Sequence, residues 1–379
     1  MLYFELPLLV VFACAAFLCR MLAAPKAGLS FVRAGDLRAV QAAHSTPASR
    51  LGGVAIACAM LISLGFVTGQ VRSDLTIVIA AALPILCAGL SEDLGFALSP
   101  RQRLRAAALS SMLGVLGLHM WVTGIDTLGL DLLFGLLPVA ITFTVFACAG
   151  ICNAFNLIDG LNGLAPGAAV LTALGLATVS HLAGLPDLAI VCWYLIAALM
   201  GFLVLNFPWG RIFLGDAGAY LTGHVLAWLS VILMFRAPDV TPWAIVLIFF
   251  WPLVDTLFAI YRRRMAGRAA NQPDRMHFHH VVLRALEIMV LGRKQRHIAN
   301  PVTTLILLPL MTAPVVTGIF LWNAPALACV AFAGYAGAFI VSYHVTVHIA
   351  RRHGKSGAWP RTSPIHAGWK RAVKASGDG

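Results

Sequence analysis

Long apolar runs broken by short polar clusters set the pattern of this chain. Leu132 to Cys152 carries no charge, and a helical run of about 20 residues crosses a hydrocarbon core about 30 Å thick. The same template fits residues 2–22, 51–70, 75–90, 104–122, 132–152, 164–182, 187–205, 217–235, 242–260, 301–321 and 325–347. The pattern therefore predicts an all-α, polytopic integral membrane bundle of about 11 transmembrane helices. Residues 1–349 form one membrane domain on this reading, with residues 350–379 as a tail.

Composition agrees with that solvent. The mean hydropathy is +0.87 and only 11% of the 379 residues are charged, more apolar surface than a soluble core of this size could hide. With the N-terminus outside, loops at 23–50, 91–103, 153–163, 206–216 and 261–300 and the C-terminal tail face the cytoplasm. Of the 27 Lys and Arg, all but Arg72 and Arg236 then lie on or beside that face, as the positive-inside rule requires. The net charge of +12 follows from this partition, so nucleic acid is not an expected partner. Arg262–Arg264 read as a stop-transfer anchor. The basic tail is expected to be disordered beside anionic headgroups. Glu5 and the lack of an early Lys or Arg predict an uncleaved first span. The eight cysteines contain no CxxC pair and read as small hydrophobes.

The polar clusters carry the candidate chemistry, and all of them map to the inner face. They are HSTPASRLGG (His44–Gly53), SEDLGFALSPRQR (Ser91–Arg103), NAFNLIDGLNG (Asn153–Gly163), NFPWGRIFLGDAG (Asn206–Gly218), Asp255, and PDRMHFHH (Pro273–His280). The outer loops offer only Asp74, Asp126, Asp187 and Asp239, which look like solvated turn residues. Glu92, Asp93, Asp159, Asp216 and Asp255 fall at or near predicted inner helix ends, where acids are costly without a cation or partner. Mg²⁺ suits such acids, because it takes one or two carboxylates together with phosphates and water. Steps of three residues turn a helix by about −60°, so Asn153 and Asn156 share a face that Asn162 cannot. The glycines then favour a helix end running into a ligand-wrapping loop. VVLRALEIMVLG reads as an interfacial helix ending at Gly292, with histidines at its N-terminus where phosphate is favoured. Zinc is disfavoured, since no Cys lies near HFHH.

These residues resemble the polyprenyl-phosphate N-acetylhexosamine-1-phosphate transferases, the superfamily that includes phospho-N-acetylmuramoyl-pentapeptide transferase. The resemblance runs from about His44 to His280 through NAFNLIDGLNGLAPG, FLGDAG, DTLFAIYRRRMAG and PDRMHFHH, in the expected order. It implies a multi-pass protein of the bacterial inner membrane with its site on the cytoplasmic side. The implied reaction is Mg²⁺-dependent, with Mn²⁺ as a substitute. A sugar 1-phosphate passes from a UDP-sugar to undecaprenyl phosphate and UMP is released, the first membrane step of O-antigen or other envelope glycan synthesis. Undecaprenyl phosphate, the UDP-sugar and membrane lipids are the implied partners, and a homodimer is allowed. By position, Glu92, Asp93, Asp159 and Asp216 match catalytic residues, with Asp216 and Asp93 as metal ligands. Asn153, Asn156, Asn162, Arg50, His277, His279 and His280 match substrate-binding positions.

The chain departs from the common pattern in three places. The acidic pair is Glu92-Asp93 where Asp-Asp is usual; Asn162 stands where relatives carry Asp; and Ala48-Ser49 separate Thr46-Pro47 from Arg50. A muramoyl-pentapeptide donor fits less well, because Phe278 interrupts the histidine run. A secondary transporter, also rich in spans and intramembrane polar groups, is the rival class.

Overall fold

Helix α10 (Gly215–Arg236) is the axis of the bundle, and its sequence shows why. It mixes small and apolar residues on every face, and 18 of its side chains, from Gly215 to Leu233, are buried, as expected of a helix enclosed on all sides. The computed structural model describes residues 2–23, 48–127, 129–267 and 276–353. Thr46-Pro47, most of the expected loop at 23–50, Pro273–Arg275 and the tail beyond His353 lie outside these described residues.

Around α10 pack α2 (Gly52–Ser63), α4 (Leu83–Asp93), α7 (Leu137–Ile158) and α8 (Leu164–Leu182). Contact is backbone to backbone where the site lies. A methyl group added at Gly53 would stand 2.2 Å from the Gly218 nitrogen, and one at Gly89 would stand 2.5 Å from the Ala217 nitrogen. Small residues allow such approach between helices in a membrane. The shell is completed by α1 (Leu2–Leu22), α3 (Gly69–Ala81), α5 (Pro100–Leu118), the short α6 (Asp131–Phe134) and α9 (Pro186–Asn206), followed by α11 (Pro242–Ile248), α12 (Phe250–Met265), α13 (Phe278–Leu286), α14 (Arg296–Phe320) and α15 (Pro325–His353).

Among the described residues there is no β-strand, and the fold is an all-α polytopic membrane protein. Among the described residues, seven helices can cross a membrane by length and composition, or nine if the bent pairs α3–α4 and α11–α12 each count as one span. Sequence pattern predicts about 11, and two of those segments differ. α2 has only 12 residues, and α5 begins with Arg101, Arg103 and Arg105 inside its first turns.

Proline makes the sharper bend. α11 and α12 meet at 85°; Pro252 has no N–H for the carbonyl of Ile248 and its ring crowds that group. Ile248 O instead accepts the Thr172 hydroxyl at 3.4 Å. The bend also corrects the anchor reading of the three arginines, because they do not emerge from the end of a straight span. Arg262 and Arg263 are buried, and Arg262 donates to the Tyr343 hydroxyl of α15 at 3.0 Å; only Arg264 is exposed. Asp74 needs correction too. It is 3% exposed and pairs with Arg236, so it is a helix-to-helix tie and not a solvated turn residue.

After Arg263 the chain re-enters through α13, whose buried face centres on Phe278, with ring centroids 5.2 Å from Trp251 and 5.0 Å from Phe339. The helix continues as a π-helical turn, Glu287–Leu291, and stops at Gly292 with φ of 77°. All eight cysteines are free thiols.

Candidate active site

The site begins where α10 begins. The segment before α2 is stitched to the segment before α10: Phe213 donates to Ser49 O at 2.8 Å, and Gly52 and Gly53 donate back to Phe213 O and Leu214 O at 3.0 and 2.9 Å. This pairing carries Arg50 to the α10 N-terminus. There Arg50 Nε lies 3.1 Å from Asp93 Oδ1 and Nη2 lies 3.3 Å from Asp216 Oδ1.

Asp93, the last residue of α4, acts as a cap supplied by another helix. Its Oδ1 accepts the Asp216 N–H and its Oδ2 the Ala217 N–H, both at 2.9 Å, satisfying amides that have no partner within α10. The helix macrodipole favours a negative charge at this end. Asp216 then projects into the space beyond, where its Oδ1 also accepts from Asn156 Nδ2 at 2.9 Å. Glu92 Oε2 pairs with Arg103 Nη1 at 3.2 Å, and Arg103 also reaches the Tyr220 hydroxyl.

Arg50, Arg103, Asn156, Asp216 and Tyr220 border a cavity of about 1080 Å³. Its polar end is lined by Arg50, Arg103, Asn153, Asn156, Asp159, Asp216, Tyr220, Arg263, His277 and His280. Toward the far end of α10 the lining turns apolar through Phe143, Phe146, Val231, Met234, Val246 and Leu257. From Asp216 to Met234 the α10 axis rises about 27 Å, close to the thickness of a hydrocarbon core.

The DGLNG loop closes the polar end. α7 ends at Ile158, leaving Asn153 and Asn156 on the helix and Asp159 as its C-cap residue. Asn153 donates to its own helix at Ala149 O, 2.8 Å away. Asp159 is half-buried and lines the cavity. Burial is the first cause that raises its pKa to about 7; Arg50 opposes the shift, and the Asp216 and Asp93 charges add to it.

Three expectations change with this geometry. Asp93 and Glu92 stand behind the cavity wall and do not line it. With its carboxyl group 0% exposed and bonded to two amides and Arg50, Asp93 is a support for Asp216 and not a metal ligand. Asn162 is tied inward: its N–H donates to Asn300 Oδ1 and its Nδ2 to Pro208 O, each at 2.9 Å. It borders the cavity with its Nδ2 committed to the loop, while its Oδ1 is buried without a hydrogen-bond partner. His279 is fully buried and does not line the cavity. It packs under the loop, since a methyl group at Gly160 would stand 2.7 Å from its Nε2. Burial, reinforced by His280 and His277, holds its pKa well below the ordinary value, so it is neutral.

Arg103 and Arg263 fall within polar motifs of the sequence without being singled out there as site residues, and Tyr220 lies outside those motifs. Arginines near a membrane face carry a topology signal that hides any second role, and Tyr220 sits one helical turn beyond Asp216 with no local feature to distinguish it.

The donor set fits a divalent ion of the oxygen-seeking kind. The Glu92 and Asp216 carboxyl groups lie close enough for each charge to oppose the other, a repulsion that a proton or a cation between them would relieve. Among the described residues no group of three or more His, Cys, Asp or Glu is placed to hold a metal. A site of one or two carboxylates completed by water and phosphate is the habit of Mg²⁺, and Asp216, which lines the cavity, is the carboxylate that could hold such an ion.

Fold and site together define an integral-membrane enzyme with its polar chemistry gathered at helix ends. The sequence profile of glycosyl transferase family 4 matches residues 75–234. The decaprenyl-phosphate N-acetylglucosaminephosphotransferase of Mycobacterium tuberculosis (strain CDC 1551 / Oshkosh) is 31% identical over 301 residues, covering 70% of this chain and 71% of that protein. The undecaprenyl-phosphate alpha-N-acetylglucosaminyl 1-phosphate transferase of Escherichia coli (strain K12) is 29% identical over 246 residues, covering 62% of this chain and 65% of that one. The chain belongs to glycosyl transferase family 4, among the polyprenyl-phosphate sugar-1-phosphate transferases.

Proposed function

We propose that this protein transfers an N-acetylhexosamine 1-phosphate from a UDP-sugar to undecaprenyl phosphate, on the cytoplasmic side of a bacterial inner membrane, yielding undecaprenyl-diphosphate-sugar and UMP. The observation that carries this reading is one continuous cavity. An apolar groove about as deep as a bilayer opens into a pocket of acids, arginines and histidines. A prenyl chain fits the first part and phosphates the second. A transporter would place its polar groups near the midplane, whereas Asp93, Asp159 and Asp216 stand at helix ends.

In the reaction an oxygen of the lipid phosphate forms a bond to the β-phosphorus of the UDP-sugar. The bond from that phosphorus to the bridging oxygen breaks, and UMP leaves. Phosphate monoesters have a second pKa near 6, so the nucleophile is already largely ionised at neutral pH. The principal task is to bring anions together, and fixed cations perform it. Arg50 and Asn156 fix the Asp216 carboxylate. His277, His280 and Arg263 line the phosphate end. Asp159 accepts whatever proton the lipid phosphate still carries. Mg²⁺, held by Asp216, would supply Lewis-acid neutralisation of the diphosphate.

Purified protein in detergent, given Mg²⁺, undecaprenyl phosphate and a panel of UDP-N-acetylhexosamines, is expected to release UMP with at least one donor. UMP formed equally well without the lipid, or no UMP with any donor, would refute the reading.

Asp159 supplies a prediction in pH. Its folded-state value of about 7 exceeds the ordinary value of 3.8, so the folded protein holds a proton that the unfolded chain releases. Stability is therefore favoured at low pH and is lost as pH rises through about 7. Without divalent cations, Asp159→Asn is expected to melt above wild type near pH 8, with the gap closing toward about pH 4. A gap that widens on acidification would contradict this assignment. Added Mg²⁺ should shrink the gap near pH 8, by neutralising the surrounding carboxylates.

A further inference from the structure

Asp255 has no part in the reaction above, yet it is one of the most enclosed charges in the protein, 1% exposed on α12. Both of its oxygens are committed to the start of α13. Oδ1 accepts the Phe278 N–H at 2.9 Å, and Oδ2 lies 2.8 Å from His277 Nδ1. His277 is the N-cap residue of α13 but makes no side-chain cap bond itself. A carboxylate reaching across from the bent helix caps α13 in its place.

The same contact fixes the imidazole. An ionised carboxylate only accepts hydrogen bonds, so the His277 nitrogen facing it, Nδ1, carries a hydrogen. The opposite nitrogen, Nε2, remains for the cavity that His277 lines. His279 does not share the carboxylate at bonding distance, its Nδ1 standing 4.0 Å from the same oxygen. His279 instead stacks beside His277, with ring centroids 5.8 Å apart, and limits its rotation. A buried acceptor that sets the tautomer and direction of an imidazole is a known means of tuning a histidine at an active site.

We infer that Asp255 is a positioning residue, which holds His277 with Nδ1 protonated and Nε2 directed at the phosphate oxygens of the nucleotide-sugar. This rests on the function proposed above. The consequence is that His277 and Asp255 act as one unit, so removing either removes the same contribution.

The test is a double-mutant cycle in the full-length protein. Asp255→Asn, which preserves shape, is expected to lower kcat about 30-fold, with KM for the UDP-sugar changed less than about threefold. His277→Ala should lose a similar amount, and the double variant should fall within about twofold of His277→Ala alone. Additive losses, or Asp255→Asn within about twofold of wild type, would overturn the inference. A merely structural role for Asp255 would lower the yield of folded protein or raise KM, and would give no such non-additivity. A second measurement needs neither turnover nor the Asp255 variant. Histidine ¹⁵N spectra of the wild-type protein, with His277 assigned by comparison with His277→Gln, should show Nδ1 protonated; an unprotonated Nδ1 would overturn the inference. If wild type released no UMP, the proposed function would fail while the spectra still decided the tautomer.

Discussion

Asp216→Asn is expected to lower kcat by at least about 10³-fold while the protein still inserts and melts at or slightly above the wild-type temperature. The two halves of this expectation have separate causes. Asn keeps the size of the side chain and one acceptor oxygen, so the bond from Asn156 at 2.9 Å can persist. It removes the negative charge, however, and with it the carboxylate proposed above to hold Mg²⁺ against two anionic phosphates. Stability should not suffer, because Asp216 stands among Glu92, Asp93 and Asp159, and its charge acts unfavourably on all three. Deleting one like charge relieves the others, while its ion pair with Arg50 is partly exposed and of small value. Functional sites commonly trade stability for chemistry in this manner. The measurements are UMP release with Mg²⁺ and thermal unfolding of the detergent-solubilised protein. Near-normal turnover would remove Asp216 from the metal site, and a large fall in melting temperature would recast it as a structural residue.

That trade explains why the site is legible in the sequence. Acids and asparagines are costly in an apolar chain, so Asn153, Asn156, Asp159 and Asp216 stand out, and helix periodicity places them at helix ends. What the linear pattern cannot convey is which oxygen atoms are already spent. Asp93 and Asp216 look equivalent as residue types, but one caps a helix from behind while the other faces the cavity, a distinction created by hydrogen bonds between residues more than 120 positions apart. The histidines repeat the lesson. In HFHH the first and last side chains meet the cavity and the middle two face the interior, and only a partner on another helix, Asp255, identifies His277 as the held member. Reading spans from hydropathy misses shape in a similar way. Hydropathy registers an apolar run but not the 85° bend that Pro252 places within it, and that bend turns Arg262 and Arg263 back into the fold.

Gly215→Ala is expected to damage folding and catalysis together, the opposite signature to Asp216→Asn. Gly215 has φ of 73°, a left-handed conformation that costs an alanine about 1–2 kcal/mol. Space is the second constraint. A Cβ there would stand 2.1 Å from Arg50 O and 2.5 Å from Asp93 Oδ2, and the first of these atoms is backbone, stitched in place by the pairing of residues 49–53 with 213–214. The clash can be relieved only by moving α10 away from Asp93, which breaks the cap on Asp216 and Ala217, or by displacing Arg50. Strain and broken hydrogen bonds together should exceed about 3 kcal/mol. Gly184 provides the control: it has φ of 77° but nothing within 4 Å of an added Cβ, so Gly184→Ala should cost only the strain of about 1–2 kcal/mol and leave turnover intact. The comparison is made by thermal unfolding and UMP release on both variants. Equal losses for the two would mean that backbone conformation alone matters at Gly215, and that the close approach of Arg50 and Asp93 to the start of α10 does not hold the site together.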